Sequence, residues 1–103
     1  MKTKKRVKKK KIEKKNILKD ANSDSYFFVN NGTVLKNVLD LSKQLDNMAD
    51  GVFEHHVNEM RNDFSNWIKD VFKEDKLAKE LLKTTDKDKT QIILLKYVIN
   101  KFK

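Results

Sequence analysis

The chain has 103 residues, 38% of them charged and 38% hydrophobic, with a formal net charge of +9, no cysteine, no proline and two glycines. That is room for one domain, and it excludes a disulfide framework, a thiolate nucleophile and a cysteine zinc site. No window approaches the ~18 consecutive apolar residues of a membrane span, and no apolar stretch follows the basic start, so no secretory signal is expected.

The excess charge is confined to the first fifth of the chain. Residues 1–20 carry eleven Lys/Arg against two acids, Glu13 and Asp20, whereas residues 21–103 carry thirteen of each sign. A general taste for lysine would not produce that division. Val7, Ile12, Ile17 and Leu18 are too few and too irregularly spaced to hold one helical face, and like charges oppose compaction. Residues 1–20 are therefore expected to form a disordered basic tail when free, with helix from Ile12 onward only in a bound state. Lys4, Lys5, Arg6, Lys8, Lys9, Lys10, Lys11, Lys14 and Lys15 are the expected nucleic-acid-binding residues. They act through charge density, because each phosphate they neutralise releases condensed counterions. One arginine and no aromatic ring offer neither bidentate base reading nor stacking, so RNA or DNA would be bound without sequence preference. An anionic membrane surface, an acidic protein and a purely solubilising role are the competing readings. The membrane reading lacks the apolar face of an interfacial helix.

Residues 21–25 (ANSDS) read as a linker, and residues 26–103 as a single mainly helical domain of three to five helices. A short N-terminal β-hairpin is expected at 26–35: Tyr26 to Val29 is β-prone, and Asn31-Gly32 signals a type I′ turn. Asn37 reads as an N-cap with Asp40 three residues on, opening a helix over 38–48 on Val38, Leu39, Leu41, Leu45 and Met48. Asp50 reads as the cap of the next helix. Phe53, His56, Val57, Met60, Phe64, Trp67, Ile68 and Val71 then recur at helical steps, so residues 51–73 read either as one helix or as two with a restart at Asn62. Asp75 reads as the cap of a segment that buries Leu77, Ala78, Leu81 and Leu82. Thr85 with Asp88 reads as a capping box for a last helix facing the core with Ile92, Leu95, Ile99 and Phe102, widened by Leu94 and Val98.

The least bland stretch is HHVNEMRNDFSNW, residues 55–67. Adjacent histidines on a helix point about 100° apart and cannot clamp a metal together. His55 and Glu59 lack a third ligand, and the H-E-x-x-H order is absent. Ser65 lacks the sharp turn that presents a nucleophile. His56 is expected on the core side, His55 outside it, and Trp67 as a core anchor. His55, Asn58, Asn62 and Asn66 are the candidates for a polar groove. No metal or cofactor is expected.

The pattern formed by Tyr26 to Val29, Gly32, His56-Val57-Asn58 and Asn62-Asp63-Phe64…Trp67 resembles an uncharacterised, largely archaeal domain family over about residues 26–82. The resemblance implies one folding unit and supplies no activity. The expected function is that of a small non-enzymatic accessory protein, docked on nucleic acid by its tail while the body makes protein contacts. The alternative is a protein-interaction adaptor whose tail is incidental or binds acidic partners. A cytoplasmic location, nucleoid- or ribosome-associated, goes with the first.

Overall fold

The computed structural model describes residues 19–101. The expectations about residues 1–18 of the tail and about Phe102 lie outside them. Among the described residues the chain forms five α-helices and two two-stranded antiparallel ribbons, so the domain is mainly α with an N-terminal hairpin.

A 3-10 turn at Ser23–Ser25 leads into strand β1 (Phe27–Phe28), which pairs with β2 (Val34–Leu35) in the register Phe27↔Leu35 and Phe28↔Val34. The connecting turn is not type I′. That turn needs positive φ at both central residues, and here only Gly32 has it, at 95°. Gly32 N–H instead donates to Val29 O at 2.8 Å and Thr33 N–H to Asn31 Oδ1 at 2.9 Å. The turn thus runs through Asn30 and Asn31, and the glycine follows as the left-handed residue that only it adopts cheaply.

Helix α1 (Val38–Gln44) begins as expected, with Asn37 accepting from Asp40 N–H at 2.8 Å. Asp40 reaches back to Lys36 N–H at 3.0 Å, satisfying a second free donor. The helix ends four residues short of Met48, whose buried side chain is carried by the following turn. Helix α2 (Asp50–His56) has Ala49 at its cap position with no side-chain cap; Asp50 lies in the first turn and instead pairs with Lys87 at 3.1 Å.

Between α2 and the next helix the chain makes a second ribbon, β3 (Val57–Asn58) with β4 (Arg61–Asn62), paired Val57↔Asn62 and Asn58↔Arg61. The restart at Asn62 is therefore the form the chain takes. Met60 sits at the ribbon's tip, 90% exposed, and leaves the apolar stripe in which periodicity put it. Helix α3 (Asp63–Phe72) ends on Lys73 in the left-handed region at φ 58°, and α4 (Asp75–Leu81) follows. Asp75 is its first residue and not its cap. Leu77, Ala78 and Leu81 are buried as expected, but Leu82 is 63% exposed because the helix has already ended.

Helix α5 (Lys87–Lys101) is capped by Asp86, which accepts from Lys89 N–H at 2.8 Å, one residue beyond the expected Thr85. Its facing also departs from expectation. Leu94 and Thr90 are buried, while Ile92, Leu95 and Ile99 point outward. The residues I-I-L-L at 92–95 run round most of the helix, so apolar spacing alone does not select a face. Polar links select it: Gln91 Nε2 donates to Ser42 O at 2.9 Å and Asp46 Oδ1 at 2.6 Å, Lys87 Nζ to Met48 O at 2.7 Å, and Tyr97 OH to Glu74 Oε1 at 2.8 Å. The core joins Leu35, Val38 and Leu41 to Phe53, Val57, Phe64, Ile68, Leu77, Leu81 and Leu94. Each such side chain contributes about 1.5–3 kcal/mol on burial.

Candidate functional site

Asn58, Arg61 and Asn62 build the break between α2 and α3. Asn58 Nδ2 donates to Glu54 O at 2.9 Å, and its Oδ1 accepts from Met60 N–H at 2.9 Å. Arg61 donates from Nη2 (2.6 Å) and Nε (3.2 Å) to His55 O. Two carbonyls at the end of α2 are thus satisfied by side chains, and the helix stops. Asn62 accepts from Ser65 N–H at 2.9 Å as the cap of α3 and donates to Leu81 O at 3.3 Å, tying α3 to the end of α4.

His56 is 6% exposed and His55 is exposed, as the stripe predicts. Both ring nitrogens of His56 are engaged. Asn30 N–H donates to Nε2 at 3.0 Å, so Nε2 is the unprotonated acceptor and Nδ1–H donates to Asp63 Oδ2 at 3.0 Å. Arg61 Nε stands 3.6 Å from the same carboxylate oxygen. A histidine with a carboxylate behind it resembles half of a hydrolytic triad. Here the nitrogen that would serve as base is closed by a backbone amide. Ser65 is buried, and its hydroxyl proton is committed to Ala78 O at 2.7 Å. The pair instead fastens the tip of the first hairpin to α2 and α3.

Trp67 is 7% exposed, and its indole N–H donates to Ser25 O at 2.8 Å. Its ring meets Phe27 edge-on at 5.7 Å and Phe72 at 5.0 Å, and Phe27 also packs on His56 at 5.1 Å and Phe64 at 4.9 Å. Phe27 is thereby the hub of one aromatic cluster. Among the described residues, no buried side-chain nitrogen or oxygen lacks a hydrogen-bond partner, and no three His, Asp or Glu side chains gather as metal ligands.

The four polar-groove candidates separate. Asn58 and Asn62 border a shallow hollow with Met60, Leu82 and Thr84, whereas His55 and Asn66 are exposed residues outside it. Asn62 is itself buried. The nine basic residues from Lys4 to Lys15 lie outside the described residues. Sequence reasoning missed Asn30 and Asp63 as the partners of His56. Asn30 is 26 residues away and signals only a turn. It also missed Tyr97, whose hydroxyl is pushed up to about 12 by burial and by its bond to the Glu74 carboxylate.

Another hollow lies elsewhere, an open groove of about 510 Å³ along α4 and α5 lined by Lys76, Ile92, Ile93, Lys96 and Tyr97 among others. No helix of the described residues is long and apolar enough to cross a membrane. No protein-family model, curated protein or solved structure matches the chain.

Proposed function

We propose that the chain is a small non-enzymatic accessory protein that docks on nucleic acid through residues 1–20 while its folded body contacts protein. One observation carries this reading: a net charge of +9 on residues 1–20 against none on residues 21–103. A polycation of that density attracts phosphate by counterion release and is indifferent to base sequence. The engagement of His56, Asn58, Arg61, Asn62, Asp63 and Ser65 in bonds that hold the fold together supports a body that serves as a scaffold. The resemblance over residues 26–82 adds a folding unit to this proposal and no activity. A nucleoid- or ribosome-associated place in the cytoplasm accords with it.

The second reading is the adaptor, with the tail meeting acidic partners; the outward-facing Ile92, Leu95 and Ile99 favour it. Affinity capture separates the two. The full chain and the chain with Lys8–Lys11→Gln are used as bait, with and without RNase and DNase. Partners lost on nuclease treatment and diminished by the Gln changes support docking on nucleic acid, and the nuclease that removes them says which one. Partners indifferent to both treatments assign the chain to the adaptor class.

A further inference from the structure

Helix α5 is apolar on the side it turns away from the body. Ile92, Leu95 and Ile99 are 50%, 40% and 61% exposed, and steps of three and four place them in one row. Asp88, exposed and four residues before Ile92, heads the same row. The row borders the 510 Å³ groove, where Ile92, Ile93 and Tyr97 supply apolar wall and Lys76 and Lys96 stand on the rim. The carboxylate in that lining, Glu80, is held by Lys83 at 2.8 Å, and Lys101 is held by Glu74 at 3.5 Å. Among the described residues, Lys76 and Lys96 have no carboxylate within ion-pairing distance.

We propose that the row and groove receive one amphipathic helix of a partner protein, with apolar residues at three-four spacing and acidic residues along the flank that meets Lys76 and Lys96. The apolar row supplies the seam and the two lysines the complementary charge. A second copy of this helix fits less well. In a parallel pair, Asp88 faces Asp88. In an antiparallel pair, the flank carrying Lys89 and Lys96 faces the same flank. Either arrangement places like charges along a narrow apolar seam. Nucleic acid would use the lysines and leave the row uncovered. The inference rests on the protein-contact half of the proposed function and not on the tail.

The test titrates the full chain against labelled three-heptad peptides at about 150 mM salt, where exposed charges more than ~8 Å apart are largely screened. One peptide has Leu at the a and d positions and Glu at e and g. A second has the same composition in scrambled order, which keeps the charge and removes the row. A third carries Lys in place of Glu. The ordered acidic peptide should bind, and the scrambled and lysine-flanked peptides should bind at least tenfold more weakly. Ile92→Ser with Leu95→Ser should weaken the acidic peptide at least tenfold while the chain still melts cooperatively by circular dichroism, both residues lying outside the core. Lys76→Glu with Lys96→Glu should shift preference toward the lysine-flanked peptide, which checks the site independently of the apolar change. Equal binding of ordered and scrambled peptides, unaffected by either pair of changes, would overturn the proposal and trace capture to charge alone. Ordered binding that ignores both pairs would move the protein contact to another face, sparing the proposed function but not this site. No binding by a chain that sediments as a monomer overturns it too. So does a dimer that Ile92→Ser with Leu95→Ser dissociates, since a second copy would then be the occupant.

Discussion

Two neighbouring histidines divide the labour of this domain in opposite ways. His56→Ala removes an acceptor from Asn30 N–H and a donor from the Asp63 carboxylate. Both partners reach solvent, so each lost bond costs about 0.5–1.5 kcal/mol, to which lost packing against Phe27 and Phe64 adds. His55→Ala, on the outside, should cost well under ~1 kcal/mol. Urea unfolding of the two variants measures the contrast, and equal losses would show that the His56 bonds carry no stability. Trp67→Ala should destabilise by roughly 3–5 kcal/mol, a large share of a small domain's total. Trp67→Phe, which keeps an aromatic ring but frees Ser25 O, should cost less than half of that. The burial of His56 and Trp67 was legible in the sequence because apolar steps of three and four fix which side chains face inward. Their partners were not legible. Asn30 and Ser25 act through backbone groups, which every residue carries, and the fold alone brings them within reach.

At the scale of elements, the sequence marks where helices begin better than where they end or which way they face. Asn37 and Asn62 are caps because a short side-chain acceptor reaches the free N–H groups of a first turn. Asp50, Asp75 and Thr85 are one residue away from the cap position, the margin that local chemistry leaves open. Gly32→Ala should cost about 1–2 kcal/mol, since a Cβ meets no neighbour there and the strain comes only from φ 95°. The break at 57–62 conserves the phase of the stripe, which is why one helix and two read alike. Its cause is side-chain capping of Glu54 O and His55 O by Asn58 and Arg61, bonds that periodicity does not record. The facing of helix α5 is not legible for the opposite reason, too many apolar positions. Its inward face is set by Gln91, Lys87 and Tyr97. The Tyr97 phenol sits above its ordinary value of 10.0, at about 12, so the fold favours the protonated form. Its contribution to stability is complete below pH 10 and is lost as pH rises toward 12. The stability difference between the natural chain and Tyr97→Phe should therefore shrink across that interval in denaturant titrations. A difference that stays constant from pH 9 to pH 12 would mean that neither burial nor the Glu74 bond favours the protonated phenol.

Taken whole, the chain confines its excess charge to its first fifth and balances it over the remaining residues. That separation was fully legible, because it needs only counting. The outward row on α5 was not, since it depended on a facing that tertiary bonds decide. The central claim is that residues 1–20 bind polyanions through charge alone. Its most direct measurement is the affinity of the full chain for labelled duplex DNA and structured RNA at several salt concentrations, beside the chain with Lys8–Lys11→Gln. With about five to eight phosphates of a duplex engaged, log K should fall against log salt with a slope on the order of −5 to −7, and the four Gln changes should reduce its magnitude by up to about four. Changing the nucleic-acid sequence should leave both slopes and affinities nearly unaltered. Affinity that does not depend on salt, or that survives the loss of all four lysines undiminished, would contradict the account.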